Sequence, residues 1–115
     1  MASGSTQGSI VIYRMRTYAI VRESLQRFNE FFEEHLLPTQ LRHGARFVGR
    51  WSTEDDRVVA IWEYDSRDDY ERIQRAVTLD PATARAQEVR VTLPQLFTSM
   101  TETFMTSTLT EGPRS

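Results

Sequence analysis

Arg46-Phe-Val-Gly-Arg-Trp51, the acidic turn Glu54-Asp55-Asp56, Val58-Val-Ala-Ile-Trp-Glu-Tyr64 and Asp65-Ser-Arg-Asp-Asp-Tyr70 follow one another in the middle of this 115-residue chain. They read as strand, turn, strand and helix start. The second strand carries apolar bulk on both faces: Val59 and Ile61 on one, Ala60, Trp62 and Tyr64 on the other. A strand of that kind needs cover above and below.

Working outward, residues 10–21 alternate as a strand. Ile12, Arg14, Arg16, Tyr18 and Ile20 share one face, and Val11, Tyr13, Met15, Thr17 and Ala19 the other. Leu25, Phe28, Phe32 and Leu36 then recur at three and four, the stripe of an amphipathic helix. It is expected over 23–43, bent near Leu37 by Pro38 and stopped by Gly44. The hairpin strands are expected at 45–52 and 57–64. Ser66 with Asp68 and Asp69 signals a helix start, and Asp80-Pro81 signals a second one. A last strand is expected at 98–109. Strand, helix, strand, strand, helices, strand is the ferredoxin-like split arrangement, an α+β βαββαβ fold with a four-stranded antiparallel sheet and helices on one face. Residues 10–109 form the domain in this reading, with flexible tails at 1–9 and 110–115.

Composition narrows the chemistry. There is no cysteine, so disulfides, thiolate metal sites and cysteine nucleophiles are ruled out. A reducing compartment, the cytoplasm, is the expectation. Net charge is −2, giving no overall positive field for nucleic acid or anionic membrane. No apolar run approaches the roughly 20 residues of a membrane span. All 14 basic residues are arginine, so Schiff-base chemistry has no lysine to use. No phosphate-cradling glycine loop and no serine elbow is present.

Helices can cover only one face of the sheet, and the other face is apolar too. An uncovered face of that kind exceeds what a monomer usually exposes. A homodimer packed sheet to sheet about a two-fold axis is therefore expected.

Arg16-Thr17-Tyr18, Arg42-His43-Gly44, Val48-Gly-Arg-Trp-Ser-Thr53, Ile61-Trp-Glu-Tyr-Asp-Ser66 and Asp80-Pro81, in this order and spacing, resemble the NIPSNAP family over about residues 12–106. The resemblance implies a dimeric α+β barrel. The wider barrel superfamily includes cofactor-free monooxygenases, isomerases, haem enzymes and plain binding proteins, and fold alone does not choose among them. Members often carry a large residue soon after Asp-Pro; here Thr83 and Ala84 stand there, which argues against ligand contacts from that helix.

Candidate site residues follow from residue type. His35 and His43 stand eight positions apart, about 12 Å of helical rise, too far to share one ion, so no metal or other cofactor is expected. His43 is the acid–base candidate, with complementing the helix dipole as its simpler role. Arg16 and Tyr18 share a strand face and could hold an anion and donate a hydrogen bond, or Arg16 could pair with Glu63 or Glu102. Trp51, Trp62 and Tyr64, with Phe104, could line an aromatic pocket or simply pack the core. The expected function is binding of a small, partly apolar molecule between sheet and helices. The alternatives are a cofactor-independent monooxygenase or isomerase using His43, Tyr18 and Arg16, and an interaction module whose interior is packed solid.

Overall fold

The computed structural model describes residues 10–109; the tails expected at 1–9 and 110–115 lie outside the described residues. Strand β1 (Ile12–Ile20) leads through a short 3-10 turn (Arg22–Ser24) into helix α1 (Leu25–Phe31). The helix widens into a π-helical turn (Phe32–Leu36) and resumes as α2 (Leu37–Arg42). The hairpin strands β2 (Arg46–Ser52) and β3 (Arg57–Tyr64) follow. Helices α3 (Arg67–Leu79) and α4 (Pro81–Arg90) lead to β4 (Phe97–Met105). The four strands form one antiparallel sheet in the order β2-β3-β1-β4, the ferredoxin-like order.

The expected bend near Pro38 takes a definite form. Proline has no N–H to donate and its ring crowds the carbonyl four residues back, so the ladder cannot run through in α geometry. The chain responds one turn earlier, with the π winding of Phe32–Leu36, and α2 restarts with Pro38 in its first turn. Gly44 ends the helix with φ of +110°, a conformation L side chains rarely adopt. The caps act as the sequence suggests: Ser66 Oγ accepts from the Asp69 N–H at 3.0 Å, and Asp80 Oδ1 from the Ala82 N–H at 2.8 Å. Asp69 turns its carboxylate to Arg72 instead of closing a reciprocal box.

The last strand is shorter than the expected 98–109. Met105 pairs with Tyr13, and β1 begins one residue earlier at Ile12, so beyond Met105 there is no strand left to pair with. A bulge in β2 sets Phe47 opposite Trp62 but Gly49 opposite Ile61, leaving Val48 unpaired.

Alternation sorts the sheet faces as read from sequence. Val58, Ala60, Trp62 and Tyr64 are buried beneath the helices. One apolar cluster gathers Ile12, Phe32, Ala45, Trp62, Tyr64 and Ile73. A second gathers Phe28, Phe31, Ala86 and Leu96. On the opposite face, register brings Met15 beside Ile61 and Trp51 beside Val59, with Tyr13, Glu63 and Arg46 at one end. Trp51 is 50% exposed there.

Candidate functional site

The sheet rows that face the helices place charge beside a small side chain. Arg50 of β2 and Arg16 of β1 both pair with Ala60, and Arg16 pairs in turn with Glu102 of β4. In the neighbouring row, Arg14 lies between Trp62 and Phe104. Ala60 rises little from the sheet, so long side chains on either side set the relief of this surface.

Between sheet and helices lies a cavity of about 290 Å3. Its walls come from both apolar clusters: Phe28, Phe31, Phe32 and Trp62, with Tyr18 and Phe97. Tyr18, Phe28 and Phe97 form a mutually tilted aromatic group with ring centroids 4.9–5.5 Å apart. The polar wall is supplied by Arg14, Arg16, Arg90 and His35 with the neutral Thr39, Gln40, Thr83 and Gln87, and no aspartate or glutamate lines it among the described residues. Phe28, Phe32 and Trp62 line this cavity and do not fill it.

Arg14 is only 5% exposed. Its guanidinium stacks on the rings of Tyr64 and Tyr70 and donates to Glu102 Oε2 at 3.0 Å. Arg16 Nε stands 3.8 Å from the same oxygen, beyond hydrogen-bonding distance, while its Nη2 reaches Met100 Sδ. The Nε atoms of both arginines are buried and make no hydrogen bond. Arg90 lies over the Phe97 ring at 5.0 Å.

Of the residues expected at a site, Arg16, Tyr18 and Trp62 meet in this cavity. Trp51 does not. On the opposite sheet face at the β2 edge, it only borders a separate hollow of about 350 Å3 that Arg50, Phe47 and α1 also line. Arg50 there is clasped by the rings of Phe28 and Phe32 and donates to Asn29 Oδ1. Burial lowers its pKa, and its Nε and Nη2 find no partner. Tyr64 is fully buried beneath Tyr70 and lines no cavity. Burial pushes its phenol pKa up, against the pull of the Arg14 charge, and its hydroxyl makes no hydrogen bond.

His43 lies apart from this cavity. Its Nε2 lies 2.8 Å from Asp80 Oδ2, the same oxygen that Arg42 Nη2 reaches at 2.7 Å, and it takes no part in the cavity. The α2 terminus is thereby tied to the cap of α4. The Ala82 N–H together with Arg42 and His43 holds the Asp80 carboxyl far below the usual carboxylate range. The histidine in the cavity is His35, whose ring also packs against Phe31. From α4, Thr83, Ala86, Gln87 and Arg90 line the cavity, with small residues at 83 and 86 leaving room beneath the helix. A wider hollow of about 540 Å3 beside α3 draws its lining from that one helix alone and encloses nothing.

Comparison with known proteins places the fold. An uncharacterized NIPSNAP domain protein from Burkholderia xenovorans superposes with a TM-score of 0.76 at 20% identity, covering 89% of this chain and 98% of that one. A NIPSNAP family protein with unknown function from Agrobacterium tumefaciens gives 0.72 at 20% identity, over 86% and 89%. A putative antibiotic biosynthesis monooxygenase from Nitrosomonas europaea gives 0.63 at 11% identity, over 92% and 97%. These likenesses extend to the fold. No curated protein matches the sequence. No helix among the described residues is long and apolar enough to cross a membrane. The NIPSNAP family profile matches residues 13–109, nearly the whole of the described domain, and the chain belongs to the NIPSNAP family.

Proposed function

We propose that this NIPSNAP protein binds a small, partly apolar molecule in the cavity between sheet and helices. The supporting observation is that cavity: about 290 Å3, with an aromatic wall from Tyr18, Phe28, Phe31, Phe32, Trp62 and Phe97 set against a wall of polar and charged side chains. Its volume is at the small end of the range for small-molecule sites, and its polar share is high for one. The binding unit is a homodimer. Met15, Val59, Ile61 and Trp51 on the sheet face away from the helices give a second copy its apolar footing.

A native mass spectrum of freshly purified protein tests both parts. A mass near twice 13.4 kDa with a discrete added mass is expected. A monomer would refute the dimer. A bare dimer that takes up no member of a small-molecule panel would refute the binding.

A second reading is catalysis on that bound molecule, as a cofactor-independent monooxygenase or isomerase. It is favoured by the fold likeness to the Nitrosomonas protein and by Tyr18 and His35 sharing the cavity wall. With His43 held by Asp80, His35 takes over as its acid–base group. Dioxygen consumption or isomerisation of a bound compound, lost in His35→Ala, would establish it.

A further inference from the structure

The cavity has a charged end, and its electrostatics select a ligand class. Arg14 and Arg16 share the single carboxylate of Glu102, so one positive charge at that pair is left uncompensated. Arg90 adds a third guanidinium to the wall, and no acidic side chain lines the cavity to neutralise it. Arg14 is more than nine-tenths buried and lines the cavity, yet its Nε–H has no acceptor, and neither has that of Arg16. Buried donors without acceptors are costly, so the pair is short of acceptors as well as of negative charge. Phe28, Phe32, Trp62 and Phe97 offer flat apolar surface elsewhere in the wall, and Gln40 and Gln87 add neutral polar groups.

We infer that the ligand is a small carboxylic acid with a flat, aromatic or unsaturated body, its carboxylate held at Arg14 and Arg16 and its body among the cavity aromatics. A planar carboxylate matches the guanidinium fork in shape, and its single charge matches the one left over at the pair. This inference rests on the binding reading above and adds the chemical class.

Calorimetric titration with cinnamate and with its neutral isostere cinnamamide tests it. Cinnamate is expected to bind at least about tenfold more tightly, the usual worth of a charge-assisted hydrogen bond in a buried site. Arg16→Gln should bring the two affinities to within about twofold, while Arg16→Lys retains part of the preference. Arg16 is the residue to change because its side chain is 30% exposed, whereas Arg14 sits in the packed layer and its loss endangers the fold. A circular dichroism spectrum of each variant establishes that it is folded. Equal binding of acid and amide, or a preference unchanged in a folded Arg16→Gln, would overturn the acid-binding inference while leaving the cavity a site for neutral molecules. Binding of neither compound at millimolar concentration would overturn both.

Discussion

Replacing Tyr64 by Phe removes one oxygen from the most deeply buried aromatic of the sheet, and the expected result is a more stable protein. Tyr64 has no exposed surface, and its hydroxyl makes no hydrogen bond. A buried polar group left in that state costs about 1–3 kcal/mol relative to one that is paired or hydrated. Against its removal stand two smaller terms. The void left by one oxygen is smaller than a methyl group and costs under about 1 kcal/mol. The stacking of Tyr64 against Tyr70, with centroids 5.0 Å apart, and against the Arg14 guanidinium is available to a phenylalanine ring as well. The net expectation is a gain of about 1 kcal/mol, read by thermal denaturation as a rise of roughly 4–8 °C in Tm. Far-ultraviolet circular dichroism should be unchanged. A fall in Tm would refute the reasoning, because it would mean that the hydroxyl has a partner whose loss is felt.

Gly44→Ala should lower stability by about 1–2 kcal/mol, measured by urea denaturation. The new Cβ would meet Ile73 Cδ1 at an ordinary 3.5 Å, so the cost is that of holding alanine at φ +110°. Asp80→Asn should destabilise at neutral pH, with the deficit shrinking as pH falls below about 4, the range in which an unfolded aspartate becomes protonated. The sign follows from the lowered carboxyl pKa in the fold: the stabilisation is present above the unfolded pKa and fades as pH falls toward the folded one. Urea midpoints of both proteins from pH 3 to 7 check it. On the proposed homodimer, Ile61→Glu, placing a charge in the centre of the open sheet face beside Met15, should leave a folded monomer in native mass spectrometry.

The sheet was legible from alternation alone, because a period of two leaves no choice of face once one residue is placed. Trp62 and Arg16 face the helices for that reason, and the order of elements fixed the neighbours. The helical wall was harder. His35 falls seven residues after Phe28, a spacing that puts two residues on one face of a helix, and this was the signal for its inward position. The proline three residues further on made the phase there uncertain, and only the π winding of Phe32–Leu36 shows how it was resolved. Helix α4 carried less information, since alanines alternate with polar residues from Ala82 to Gln87 without an apolar stripe. His43 illustrates a different limit. Its position at a helix end was readable, but its partner Asp80 lies 37 residues away, and only the packing of α2 on α3 brings them together.

The π-helical turn has a consequence for how this helix can change length. A π loop closes over one residue more than an α loop, so Phe32–Leu36 carries the equivalent of a single inserted residue within a continuous helix. Phe28 on one side and Thr39 on the other both reach the cavity across it. Deleting one residue inside this stretch would let the backbone close into ordinary α winding without turning either flanking segment away from the sheet. Length variation in this helix is thus absorbed locally, at the wall of the cavity, so a chain with this architecture can reshape that wall without rebuilding the strands or connections that hold it.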